Sequence, residues 1–339
     1  MSKIFKYLII TITIIVIIIC FMGIKDKLKN NTNFASQENI SNEEKNDLSF
    51  NEGMRVTLLG GSNMEDKGNI NSMGYFILLP NKELIFIDGG RDIDGDLVKF
   101  YINKYGNGKV NHWFITHPHS DHAGALLKLL AEENNLEVDN IYYSFLKDEW
   151  YKEHDTRGYE TAHIMLERLN STKIKNRIEC YEGQVIEFGN IKIDIIRTPN
   201  PEIINSDNGN DASMTFKITA TDVDKSILFL GDSYVYASKE LLDGNTKILK
   251  SDSVQMSHHG QNGVSKEVYD AIQPSVCFFN CPRYLYDNDN GTGYNTGKWQ
   301  TVEVRRWMDE LETVNYKAFN GDQTFEFTKD GIIKIEDKK

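Results

Sequence analysis

Residues 116–122 read Thr-His-Pro-His-Ser-Asp-His, between the apolar run His112-Trp113-Phe114-Ile115 and the helix-forming stretch Ala123-Gly124-Ala125-Leu126-Leu127. Three imidazoles and a carboxylate within six residues are hard to explain by packing. A tight turn lets alternate residues aim at one point, and histidine with aspartate suits zinc, manganese or iron. The chain must therefore fold so that a strand ends and a helix begins at a metal site. A His-rich surface loop that binds metal weakly is the bland alternative. Besides this trio, the 8 histidines are His112, His154, His163, His258 and His259.

His117-x-His119-x-Asp121-His122 resembles the signature of the metallo-β-lactamase superfamily. Three turns support the resemblance: Asp88-Gly89-Gly90 after Leu84-Ile85-Phe86-Ile87, Gly231-Asp232 after Ile227-Leu228-Phe229-Leu230, and Ser257-His258-His259-Gly260 after Val254-Gln255-Met256. It spans roughly residues 54 to 335 and implies an α+β fold, an αββα sandwich of two mixed sheets with helices on the outer faces. Carried over by motif, His117 and His119 serve one metal ion, Asp121 and His122 a second, and Asp232 bridges both. A histidine after a late strand completes the second centre. Neighbouring strand side chains point to opposite faces, so only one of the adjacent pair reaches it. His259 is the choice, leaving His258 to orient the site or contact substrate.

The family usually gives its first metal a third histidine, yet no histidine lies between His163 and His258. The chain offers instead Thr198-Pro199 and Asn208-Gly209-Asn210-Asp211-Ala212-Ser213. This is similar to the Asn-Asp-x-Ser variant of the competence-protein-like branch, and it also resembles bacterial phosphorylcholine esterases. The metal ligands expected are thus His117, His119, Asp121, His122, Asp232 and His259, and the catalytic residues Asp121, His258 and Asp211. For Asp211 the alternative is a turn cap on the following strand. Asp88 is expected to support a ligand or the metal loop from behind.

The cofactors implied are two divalent ions, zinc first, with manganese or iron as alternatives. Two cations sharing a carboxylate acidify a water, clamp substrate oxygens and stabilise charge at the attacked centre, which makes a hydrolase. Asp121 is its natural proton acceptor. The expected substrate is a small-molecule or surface-polymer phosphoester or phosphodiester. The alternatives are hydrolysis of a lactone or amide, and a non-catalytic surface module stabilised by metal. A formal net charge of -12 disfavours extended nucleic-acid binding. Tyr284, Tyr286, Tyr294 and Trp299 follow the last metal strand and could form an aromatic wall.

From Tyr7 through Ile24 the chain is almost unbroken isoleucine-rich apolar sequence, with Lys3 and Lys6 before it and Lys25, Lys27 and Lys29 after it. It is just long enough to cross a bilayer core. Residues 1–24 are therefore expected to be an N-terminal anchor or signal, and 25–51 a polar tether. Residues 52–339 are expected to be the catalytic domain, held outside the cell by a single membrane pass. Cys20, Cys180, Cys277 and Cys281 do not make a disulfide scaffold in a chain of this size. Cys277 and Cys281 are read as buried thiols, with pairing as the alternative.

Pattern and turn signals place strands at Arg55–Leu59, Tyr75–Leu79, Leu84–Ile87 and His112–Ile115, with Pro80-Asn81-Lys82 as a hairpin turn. Gly189-Asn190 marks a second hairpin, and Tyr159–Leu169, Lys266–Ile272 and Trp299–Leu311 read as helices.

Overall fold

The computed structural model describes residues 50–61, 71–200 and 209–335. Asn51–Lys339 forms one compact unit. The anchor expected at Tyr7–Ile24 and the tether after it lie outside the described residues. Among the described residues no helix is long and apolar enough to cross a membrane.

Strands are numbered in chain order. The first sheet holds β1 (Met54–Leu58), β2 (Gly74–Leu78), β3 (Leu84–Asp88), β4 (Lys109–Phe114), β5 (Glu137–Tyr143), β6 (Ile174–Glu179), β14 (Gln323–Thr328) and β15 (Gly331–Ile335). Its order is β15-β14-β1-β2-β3-β4-β5-β6. The second sheet holds β7 (Val185–Phe188), β8 (Ile191–Arg197), β9 (Thr215–Ala220), β10 (Lys225–Phe229), β11 (Ser253–Gln255), β12 (Val276–Phe279) and β13 (Val314–Lys317). Its order is β13-β12-β11-β10-β9-β8-β7.

Side-chain alternation on a pleated strand explains the layering. On β3, Ile85 and Ile87 enter the core between the sheets, while Leu84 and Phe86 point the other way. That second face packs under α1 (Gly95–Gly106), α2 (Ser120–Ala131) and α4 (Tyr159–Arg168), through Val98, Leu126 and Met165 among others. A short α3 (Asp148–His154) precedes α4. On the second sheet's outer side lie α5 (Val235–Asp243), α6 (Lys266–Ile272) and α8 (Thr301–Glu310), after the single turn α7 (Arg283–Tyr286) for α8. They bury Leu241, Tyr269 and Met308. The result is the αββα sandwich expected from the resemblance.

The sheets are mixed in a way that builds a site. β3, β4, β5 and β6 run parallel, as do β10, β11, β12 and β13. Asp88, the His117 loop, Asp232 and the His258 turn all leave C-terminal ends of these parallel strands, where open sheets commonly bind ligands. The cysteines Cys180, Cys277 and Cys281 are buried and free, so Cys277 and Cys281 are packed thiols.

His112 joins the two sheets away from the site. Its ring stacks on Phe188 of β7 with centroids 3.6 Å apart, and its Nδ1 lies 3.0 Å from the Tyr142 hydroxyl. Burial pushes its pKa down to about 4, against weaker upward pulls from Glu83 and Asp139. A depressed imidazole favours the neutral folded form, so this stability is present above the unfolded value of about 6.5 and lost as pH falls through about 4. The loss amounts to about 3 kcal/mol. Urea unfolding in chelator at pH 7 and pH 4.5 should show His112→Phe losing less stability on acidification than the unsubstituted chain. Equal losses would contradict this.

Candidate metal centre

Asp88 ends β3 with a left-handed backbone, φ 55, and is fully buried. Its Oδ1 accepts the Thr116 N–H at 2.8 Å, and its Oδ2 accepts the Thr116 hydroxyl at 2.8 Å. Oδ2 also accepts the His122 Nδ1–H at 2.8 Å. A carboxylate only accepts, so the His122 proton sits on Nδ1 and its lone pair on Nε2. The Thr116 hydroxyl, having given its proton to Asp88, accepts from His117 Nδ1 at 3.2 Å. His259 Nδ1 donates to the Asn280 carbonyl at 2.8 Å. All three histidines thus present Nε2.

Those Nε2 atoms and Asp232 Oδ1 are buried and have no hydrogen-bond partner among the described residues. Unpartnered buried polar atoms cost about 1–3 kcal/mol each, and several facing one space call for a ligand. His122 Nε2 is 3.1 Å from Asp232 Oδ1, and His117 Nε2 is 4.0 Å from Asp232 Oδ2. His259 Nε2 is 3.3 Å from Asp121 Oδ2 and 3.5 Å from Asp232 Oδ2. Two overlapping sets, His117 with His122 and Asp232, and Asp121 with His122 and His259, have ligand atoms within 4.8 Å of one another. The donor set of imidazole and carboxylate fits zinc or a similar divalent ion.

The clustered imidazoles and carboxylates shift one another's pKa values. Burial would lower His259, but Asp232 and Asp121 raise its pKa to about 9. Burial likewise opposes, and Asp232 and Asp88 outweigh, so that His122 lies well above the usual imidazole value. Burial would raise Asp232, yet His122 and His259 hold it well below the carboxylate range. His117 is driven down by burial and then by His122 and His119.

Asp232 is set by its turn. Gly231 has φ 57, and a Cβ there would lie 2.8 Å from Ser213 Oγ. The buried Gln255 amide accepts the Leu230 and Gly231 N–H groups and donates to the Gly231 carbonyl. Ser213 Oγ accepts the Asp232 N–H at 2.9 Å. Ser213 therefore positions the Asp232 carboxylate, which its motif did not reveal.

Asp211 does not line the cavity. Its Oδ1 accepts the N–H groups of Tyr234 and Ala237 at the start of α5, and burial raises its pKa. Its place is that of a helix anchor rather than of a group facing substrate. Asn210, its neighbour, does reach the cavity and lies 3.2 Å from His258 Nε2.

His258 and His259 do not continue a strand. They lie in a turn with left-handed backbones, φ 50 and φ 60, so the expected alternation of faces is not what separates them. Each such non-glycine residue costs about 1–3 kcal/mol, a strain found where geometry matters to function. The turn is held by the His258 N–H on the Gly231 carbonyl at 3.1 Å and by the Tyr269 hydroxyl, which accepts the Ser257 N–H. His259 points into the carboxylates, and His258 faces the cavity with Nδ1 on the Asn262 carbonyl.

His119 stands apart from the Nε2 trio, with its Nε2 2.7 Å from Asp155 Oδ2. The cavity above the site measures about 940 Å³ and also takes in Arg91, Arg157, Tyr234, Asn262, Lys298 and Trp299. Arg91 lies 3.5 Å from Asp121 Oδ2 and donates to the Ser120 hydroxyl. Of the proposed aromatic wall only Trp299 lines the cavity, with Tyr284 edge-on to it at 5.4 Å. Tyr286 packs inward against Phe279 and Phe319, and Tyr294 is exposed near Arg305. Arg91, Asp155 and Gln255 were not found from sequence, because only long-range contacts reveal them.

The family described as the metallo-beta-lactamase superfamily matches residues 70–200. Among solved structures, the metallo-beta-lactamase fold protein YhfI from Bacillus subtilis shares 14% identity over 78% of this chain and 96% of its own, with a TM-score of 0.45. Yeast PDE1 shares 13% over 80% of this chain and 99% of its own, at 0.46. CmlA, a diiron beta-hydroxylase from Streptomyces venezuelae, shares 12% over 82% of this chain and 55% of its own, at 0.46. No curated protein matches the chain. The stretch that matches this family model carries the His117-x-His119-x-Asp121-His122 turn, and the two stacked sheets around it are the fold that the resemblance implies.

Proposed function

We propose that the chain is an exported, membrane-tethered two-metal hydrolase of phosphoesters or phosphodiesters. The observation that carries this reading is the meeting, around one cavity, of the imidazole and carboxylate cluster with Arg91, Arg157 and Lys298. Cations beside the reacting centre of a protein with net charge -12 select an anionic substrate. Two divalent ions, zinc in the first instance, would supply Lewis acidity and acidify water.

The chain's own residues do the rest. His117, His119, Asp121, His122, Asp232 and His259 would hold the ions, and Asp121 accepts the proton of the attacking water. His258, held by Asn262, and Tyr234 meet the substrate on one wall. Arg157 and Lys298, both exposed, draw in its charged oxygens. Trp299 offers an apolar face to the leaving group or the esterified alcohol. Tyr7–Ile24 anchors the protein, and the domain lies outside the cell; release from membranes by salt washing alone would contradict the anchor.

The test is a panel of chromogenic phosphomonoester, phosphodiester, lactone and lactam substrates given to the zinc-loaded full chain. A phosphoester should turn over, and Arg157→Ala with Lys298→Ala should raise its KM by about tenfold, the scale of 1–2 kcal/mol of lost charge pairing. Turnover of lactone or lactam alone would overturn the substrate class. No turnover by a protein holding two ions would favour the non-catalytic module.

A further inference from the structure

His119 and Asp155 form a pair that the metal-site motif does not account for. Asp155 follows α3 and is 5% exposed, and its Oδ2 lies 2.7 Å from His119 Nε2. Its Oδ1 accepts the Gly158 N–H at 3.3 Å, so both carboxylate oxygens are engaged. Because an ionised carboxylate can only accept, the His119 proton sits on Nε2 and its lone pair on Nδ1. This is the reverse of His117, His122 and His259.

Two chain segments make room for the pair by having no side chain. A Cβ on Gly158 would lie 2.3 Å from Asp155 Oδ2 and 2.5 Å from His119 Nε2. A Cβ on Gly209 would lie 2.0 Å from Asp155 Oδ2 and 2.8 Å from His119 Nε2. Glycine at both places lets the backbone approach the pair closely.

We infer that Asp155 is the positioning residue for His119, fixing its tautomer and ring so that Nδ1 is offered to the first metal centre. The inference rests on the two-metal reading. It also gives a reason for the pair's construction: with no third histidine between His163 and His258, the remaining nitrogen ligands of that centre bear more of the binding. A carboxylate on the far nitrogen makes an imidazole a stronger and better-oriented ligand, and losing such a partner typically weakens metal affinity by about 10- to 100-fold.

Asp155 also begins the turn into α4, where its carbonyl accepts the Gly158 and Tyr159 N–H groups. Those bonds come from the backbone and survive substitution of the side chain. The experiment strips the full chain of metal and titrates it with Co²⁺, followed by absorption, and with Zn²⁺ in competition with a chelating dye. The unsubstituted chain should bind two ions. Asp155→Ala should weaken one of them by about 10- to 100-fold and leave the other unchanged. Asp155→Asn, whose amide oxygen still accepts the Nε2 proton, should recover most of the loss. Near-ultraviolet circular dichroism of the metal-free variants checks that they fold. Unchanged affinity for both ions in Asp155→Ala overturns the inference, as does equal weakening of both or no recovery in Asp155→Asn. Failure of the unsubstituted chain to bind two ions would instead refute the two-metal reading.

Discussion

Asp232→Ala should lose its metal ions and its activity together. Asp232 is 2% exposed and lies within 3.1 to 4.0 Å of His122, His259 and His117, so no other carboxylate among the described residues meets all three. Removing it takes away the negative charge that faces all three imidazoles, so two cations placed there would repel one another with no shared carboxylate between them. Metal content by elemental analysis and turnover, measured on the same samples, should both fall by at least about 10²-fold at limiting metal. Full activity with both ions retained would refute the bridging role.

Asp121→Asn separates two jobs that the Asp232 variant cannot. Its Oδ2 faces His259 at 3.3 Å and Arg91 at 3.5 Å. Burial would raise its pKa, but the neighbouring His259 and the His122 charge hold it well below the carboxylate range. Asparagine keeps the size and one oxygen ligand while removing the charge and the proton acceptor. Turnover should drop by about 10²-fold or more, the scale of general-base removal, with much of the metal retained. Undiminished turnover would rule out Asp121 as the base, and loss of metal in step with rate would make it a ligand above all.

The parts of the molecule legible in the sequence are those whose cause is local. The turn from His117 to His122 announces itself because six adjacent residues carry the chemistry. The Gly189-Asn190 hairpin is where expected, pairing Phe188 with Ile191. β6 was missed because it is an edge strand: Ile174-Lys175-Asn176-Arg177-Ile178-Glu179 is mostly exposed and carries no apolar alternation. The sequence gives no sign of α3, because Asp148–His154 is mostly charged and buries only Tyr151, which leaves no apolar stripe to read.

The site's supporting groups were hidden for a different reason. Arg91 meets Asp121, Asp155 meets His119 and Gln255 holds Gly231 across tens of residues, and nothing in their flanking sequence predicts the meeting. From sequence, the Asn-Asp-x-Ser stretch reads as a substitute for a metal ligand and as catalytic through Asp211. Its residues instead divide the work, Asn210 reaching His258, Asp211 holding α5 and Ser213 holding Asp232.

The most direct measurement is a crystal structure of the zinc-loaded protein with anomalous diffraction recorded at the zinc edge. The account predicts two peaks about 3.5 to 4 Å apart, the spacing of two-metal hydrolases, between Asp232 and the Nε2 atoms of His117, His122 and His259. A single peak, or peaks away from these side chains, would contradict it.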